Sequence, residues 1–161
     1  MVPPSLGSNP SAPAILHRSA IPIERPRIAV AALNPHAGDG GNFGHEDEGE
    51  IASAVRDAQA RGISCDGPFP SDTVFLRARR GDFDAVQTMY HDQGQIAIKL
   101  MGFDQGVTLI GGYKVPVCTP AQGTAYDIVG RNRANPGASK AALLLAAWLA
   151  LRQRGLAAAA D

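Results

Sequence analysis

From Arg27 onward the chain alternates between short unbroken apolar runs and longer stretches in which apolar positions recur every three or four residues. Ile28 to Leu33 is a continuous apolar run of strand length, so Arg27 to Leu33 is expected as a buried β-strand. Glu46 to Arg61 places Ile51, Ala54, Val55 and Ala58 on one helical face, and Gly62 is suited to end that helix. Pro68 to Thr73 reads as a turn, with Ser71 or Asp72 available to cap a helix through Val74 to Arg79. Asp84 to Tyr90 is expected as a second strand and Gln93 to Met101 as a helix. Val107 to Ile110 and Val115 to Cys118 read as short strands around Gly111-Gly112. Ala138 to Arg154 is a long Ala/Leu helix that holds the single tryptophan, Trp148. Alternation of this kind predicts an α/β fold, a mostly parallel sheet with helices on both faces.

Met1 to Pro26 differs from the rest, being rich in Pro, Ser and Ala without sustained periodicity. It lacks the charged start and long apolar core of a signal peptide. Residues 1–26 are therefore expected to be a disordered leader or the remnant of something longer, and residues 27–161 the folded portion. A chain of 161 residues has room for one ordinary domain with a real core.

Charge narrows the function classes. Fifteen basic and fifteen acidic side chains give no net charge, and no basic patch argues for nucleic acid. No apolar run is long enough to argue for a membrane span. Cys65 and Cys118 lack metal-ligand spacing and read as reduced thiols of a cytoplasmic protein.

Two segments built around histidines carry most of the chemistry, Leu33-Asn34-Pro35-His36-Ala37-Gly38 and Met89-Tyr90-His91-Asp92-Gln93-Gly94. Each follows an expected strand, and in an open α/β sheet ligands bind outside the carboxyl ends of the strands. Imidazole is the usual nitrogen ligand of a divalent metal, so His36 and His91 are candidate ligands of one ion. Glycines around His36 would let backbone approach a ligand closely, although a tight turn with a carbonyl-bonded imidazole explains the same residues. Two ligands do not close a site. A third must come from a carboxylate such as Asp72 or Asp92, or from another polypeptide.

Lys99 lies in an apolar helix after Ile96-Ala97-Ile98 and either reaches out to solvent or binds an anion. His17 and His45 have no supporting neighbours and are expected to be solvated. The segment from Thr119 to Gly130, with Asn135 beyond it, offers backbone amides, a hydroxyl and polar side chains suited to a nucleotide. A polar loop before a capped helix is the other reading. No Gly-x-Gly-x-x-Gly follows a strand, so an ordinary Rossmann cofactor site is excluded.

Taken together, LNPHAGDGGNFG, GPFPSDTVF, DAVQTMYHDQGQIAIKLMGF and TPAQGTAYDIVGRNRANPGAS resemble the 4-hydroxythreonine-4-phosphate dehydrogenase family of vitamin B6 biosynthesis. The resemblance runs from about Pro26 to the end and covers about the C-terminal half of a full member. It implies an isocitrate/isopropylmalate dehydrogenase-like fold, here truncated, and a homodimer whose sites draw residues from both subunits.

The resemblance also assigns roles. His36 and His91 match metal-ligating histidines, a third ligand lying upstream of the matched region. Lys99 matches a substrate-binding lysine, and Asp72 and Asp92 match aspartates near the reacting groups. Gln122, Gly123, Thr124, Asp127 and Asn135 fall in a segment similar to the adenosine-binding loop of isopropylmalate dehydrogenases. The implied cofactors are NAD and a divalent metal, whether zinc, magnesium or manganese. The implied reaction is oxidation and decarboxylation of a phosphorylated hydroxy acid.

Three positions depart from the family pattern: Gln122 stands where a histidine is usual, Thr108 at a substrate-binding asparagine, and Val117 at or near a substrate-binding arginine. The run Gln93 to Phe103, with the Gly111-Gly112 pair, resembles more closely the subfamily acting on four-carbon sugar-acid phosphates such as threonate or erythronate 4-phosphate. The alternative is a truncated, silent homologue, or a half that needs a separately encoded N-terminal partner.

Overall fold

The computed structural model describes residues 23–158. The expectations for residues before 23, including a solvated His17, lie outside the described residues. Two compact units are formed, one within Ile21–Ala97 and one within Ile98–Asp161.

In the first unit, β1 (Ile28–Ala31), β2 (Cys65–Phe69) and β3 (Ala85–Gln87) make a parallel sheet in the order β2-β1-β3. Ala29 and Ala31 of β1 are fully buried, while the alternating positions Ile28 and Val30 are half-buried. Ala29 lies beside Val86 and Ala31 beside Phe69, which puts these side chains on one face. Val74 of α2 (Ser71–Arg80) closes that face, with Phe75, Ala78 and Phe83 around it. Alanines on the central strand leave the space that valine and phenylalanine fill. Arg77 adds a cover, its guanidinium carbon 4.3 Å from the centre of the Phe69 ring and 4.8 Å from that of Phe83.

Several sequence expectations are corrected here. The first strand stops at Ala31, because the Leu33 amide turns to the Asp47 carboxylate. Cys65–Phe69 is a strand that the sequence pattern does not announce, and the expected turn from Pro68 starts only after it. β2 is an edge strand, where a proline that cannot donate to the ladder is tolerated. α2 then begins at Ser71 with Pro70 before it, so neither Ser71 nor Asp72 is the cap.

The helix expected over Glu46 to Arg61 opens as a π-turn over Asp47–Ile51 and continues as α1 (Ala52–Ala60). Val55 is buried and Ile51 and Ala58 half-buried, but Ala54 faces solvent. His45 is exposed, as expected. β3 is shorter than Asp84 to Tyr90, and α3 (His91–Gly102) starts two residues before the expected Gln93. The boundary between the two units falls inside α3.

In the second unit, β4 (Val107–Ile110) and β5 (Val117–Pro120) pair antiparallel, Val107 opposite Pro120 and Ile110 opposite Val117. The sheet is thus parallel only in the first unit. The short connection through Gly111-Gly112 decides this, since a parallel pair needs a crossover of about a dozen residues or more. β5 starts two residues later than expected. α4 (Gly137–Ala158) packs on both strands and buries Ala138, Ala142 and Leu149. Among the described residues, no helix is long and apolar enough to cross a membrane.

Candidate active site

Parallel strands deliver their carboxyl ends to one edge. Beyond β1 comes the loop carrying His36. Beyond β2 come Ser71 and Asp72 in the first turn of α2, and beyond β3 come His91 and Asp92 in the first turn of α3. His36, Asp72, His91 and Asp92 are all exposed, none of them in the apolar core.

The His36 loop is backbone under tension. His36 has φ 53° and ψ 27°, and Ala37 and Asp39 are also left-handed, at φ 56° and 46°. Non-glycine residues in that region cost about 1–3 kcal/mol each and persist only where the surroundings fix them. Here the fixing group is Asp47, fully buried, whose Oδ1 accepts the Leu33 amide at 2.7 Å and Oδ2 the Asn34 amide at 2.9 Å. Asn34 in turn donates its side-chain amide to Glu46 at 2.8 Å. That bond adds to one from Glu46's own backbone amide, which is the larger cause holding the Glu46 carboxyl below the usual range. The His36 ring tilts toward Phe43, with centroids 6.0 Å apart.

A second knot ties the three strand ends together. Gln93 Oε1 accepts the amides of Met89 at 2.9 Å and Tyr90 at 3.1 Å. Gln93 Nε2 donates to the Ala32 carbonyl at 2.9 Å and to Ser71 Oγ at 2.8 Å. Ser71 Oγ itself donates to the Ala32 carbonyl at 2.8 Å. Sequence reasoning missed Gln93, Ser71 and Asp47 as builders of this edge. Gln93 lies inside the His91 motif, and along the chain Ser71 offers only a helix cap. Asp47 sits in the acidic run Glu46-Asp47-Glu48, with no local signal that it alone turns inward.

Do these side chains suit a metal? Two imidazoles from the ends of adjacent parallel strands, with two carboxylates on the same edge, are the donor chemistry of a divalent ion. Among the described residues no three His, Cys, Asp or Glu side chains gather into a set able to hold one. The residues fit as part of a ligand set.

The remaining candidates lie in the second unit. Lys99 is exposed on α3. Gln122 donates weakly to Ser139 Oγ at 3.5 Å, and Asn135 Oδ1 accepts the Gly137 amide at 2.8 Å, at the start of α4. Gly123, Thr124 and Asp127 are exposed, Asp127 within a 3₁₀ turn over Tyr126–Ile128. Locally this is a polar loop leading into a capped helix. Thr108 and Val117 face Thr119 and Ile110 across the β4–β5 pair. Cys65 and Cys118 are free, both thiols pushed up by burial.

The family model described as pyridoxal phosphate biosynthetic protein PdxA matches residues 13–146. The chain belongs to this family. A Rhizobium meliloti (strain 1021) protein, provisionally named 4-hydroxythreonine-4-phosphate dehydrogenase 2, is 60% identical over 137 residues, covering 85% of this chain and 39% of its own length. The 4-hydroxythreonine-4-phosphate dehydrogenase of Erythrobacter litoralis (strain HTCC2594) is 48% identical, covering 81% of this chain and 39% of its own. Among solved structures, the Klebsiella pneumoniae 4-hydroxythreonine-4-phosphate dehydrogenase superposes with a TM-score of 0.68 at 39% identity, over 81% of this chain and 40% of that one. This PdxA-family chain therefore spans about two fifths of the length of the relatives it matches.

Proposed function

We propose that this chain carries the strand-edge part of the site of a dehydrogenase acting on a phosphorylated hydroxy acid. The substrate is 4-hydroxythreonine 4-phosphate or a four-carbon relative, threonate or erythronate 4-phosphate. The observation that carries the reading is the delivery of His36 and His91 to one edge by the adjacent parallel strands β1 and β3, in a chain of the PdxA family. The wider fold would be the isocitrate/isopropylmalate dehydrogenase-like arrangement, with helices on both faces of the sheet. The assembly would be a cytoplasmic homodimer whose sites are shared between subunits.

His36 and His91 are the side chains that would hold a divalent metal, with zinc, magnesium and manganese as candidates. A divalent ion would supply Lewis acidity toward the hydroxyl and carboxylate of the substrate, and NAD would take up the hydride. Asp72 and Asp92, solvent-facing on the same edge, would accept the hydroxyl proton and return one after carbon dioxide leaves. Lys99 would pair with an anionic group of the substrate. Gly123, Thr124 and Asp127 would line the adenosine half of NAD, Gln122 offering an amide in place of an imidazole and Asn135 shaping the loop by its bond to Gly137. The left-handed backbone at His36 supports the reading, since such strain collects where a side chain must be aimed. No observation favours the silent-homologue alternative.

The test is NADH formation by the full chain with 4-hydroxythreonine 4-phosphate, and separately with threonate 4-phosphate, in zinc, magnesium or manganese. Turnover that vanishes in His36→Ala and His91→Ala is the expected result. Turnover indifferent to both histidines would remove them from the site.

A further inference from the structure

We infer that Gln93 is a positioning residue that fixes His36, Asp72 and His91 relative to one another by locking the ends of β1, β2 and β3 together. The inference rests on the reading above, that these three side chains serve one site.

A glutamine amide has two lone pairs and two N–H groups, and Gln93 uses all four. Both acceptor positions go to its own loop, the amides of Met89 and Tyr90 just before His91. Both donor positions go elsewhere, to the Ala32 carbonyl at the end of β1 and to the Ser71 hydroxyl beside Asp72. With the Ser71 bond to the same Ala32 carbonyl, three groups from three strand ends form a closed triangle. No described charged group joins the triangle, so its geometry rests on neutral hydrogen bonds of fixed direction.

An ordinary helix-start role would need only the acceptor half. A glutamate or glutamine that reaches back to amides before its helix does that much, and either residue serves. The donor half is what links β1 and α2, and glutamate lacks it. Gln93→Glu therefore separates the two roles. Charge and position also pull in opposite directions in this variant. An added carboxylate on the same sheet edge by itself favours a bound cation, whereas loosening the loops weakens it.

The experiment compares the wild-type chain with Gln93→Glu, and with Ser71→Ala as a milder break of the same triangle. The first readout is the metal-free backbone amide spectrum by NMR. Gln93→Glu is expected to shift resonances of residues 32–36 and 71–72 in addition to those of Met89 and Tyr90, whose acceptor becomes a carboxylate. Shifts confined to residues 89–97 in Gln93→Glu, or to residues near 71 in Ser71→Ala, would overturn the inference, since the three ends would then be held independently. The second readout is Co(II) titration followed by its visible absorption. Binding about tenfold weaker in Gln93→Glu is expected, the usual scale for a residue that orients a ligand. Equal or tighter binding would overturn the positioning role. If Co(II) uptake by the wild type is absent or indifferent to His36→Ala, the site reading fails, and the NMR comparison still decides whether Gln93 locks the loops.

Discussion

Arg27 and Asp84 are clasped at the foot of the parallel sheet, one residue before β1 and one before β3. Arg27 Nη2 lies 2.9 Å from Asp84 Oδ1 and Nε 3.0 Å from Oδ2, while the Arg27 backbone amide reaches Oδ2 at 2.8 Å. The edge opposite the candidate site is thus held by a two-pronged ion pair, and the site edge by the Gln93–Ser71–Ala32 hydrogen bonds together with the Asp47 carboxylate under the His36 loop.

That pair predicts an acid-sensitive fold. Hydrogen bonds from the Arg27 side chain are the main cause holding the Asp84 carboxyl below the usual range. A carboxyl depressed in the folded state contributes stability above its unfolded pKa, about 4. That contribution is lost as the pH falls through the folded value. Thermal melts should therefore show Tm falling below about pH 4 in the wild type. Asp84→Asn should melt lower at neutral pH and lose part of that acid dependence. Identical acid profiles for the two proteins would mean the pair adds nothing.

Gly67 admits no side chain. Its φ is +134°, and a Cβ built there meets the Val30 carbonyl oxygen of β1, a backbone atom that cannot move aside. Gly67→Ala should destabilise the chain by at least about 1–2 kcal/mol, the scale of forcing an L-residue into such backbone. Urea unfolding would measure it. Gly62, also left-handed at φ +79° but with nothing near its missing Cβ, is the control and should cost less.

Asp47 anchors the His36 loop from inside. Asp47→Ala leaves the Leu33 and Asn34 amides without their partner, and hydrogen bonds to a charged acceptor are worth about 1.5–3 kcal/mol each. Unfolding free energy should drop by about 3 kcal/mol or more, with Asp47→Asn intermediate because one carbonyl oxygen remains. A change below about 0.5 kcal/mol, the size of an ordinary surface substitution, would contradict the anchoring.

Two apolar residues of α2 should differ sharply on truncation. Val74 is 0% exposed against Ala29 and Ala31, while Leu76 is 52% exposed. Val74→Ala should cost about 2 kcal/mol, from two lost methyl groups and a residual cavity. Leu76→Ala, though it removes more carbon, should cost less than about 1 kcal/mol. Similar losses would mean that α2 packs with a different face inward.

The sequence by itself determined the local elements. The apolar run at Ile28, the strand at Val107–Ile110, the Ala/Leu helix holding Trp148 and the placement of both histidines after strands were all legible, because each depends on neighbours a few residues away. Tertiary structure decided the rest. Cys65–Phe69 has a strand's conformation only because β1 lies beside it, and its Asp-Gly-Pro core carries no alternation of its own. The direction of β5 followed from a connection too short to cross over. Gln93, Ser71 and Asp47 look like ordinary polar residues along the chain. Their partners stand far away in sequence, Gln93 being 61 residues from Ala32 and 22 from Ser71. A hydrogen bond of that kind exists only after the strands have paired. No local pattern can encode it, and so the residues that aim the histidines emerge from the fold while the histidines themselves can be read from the chain.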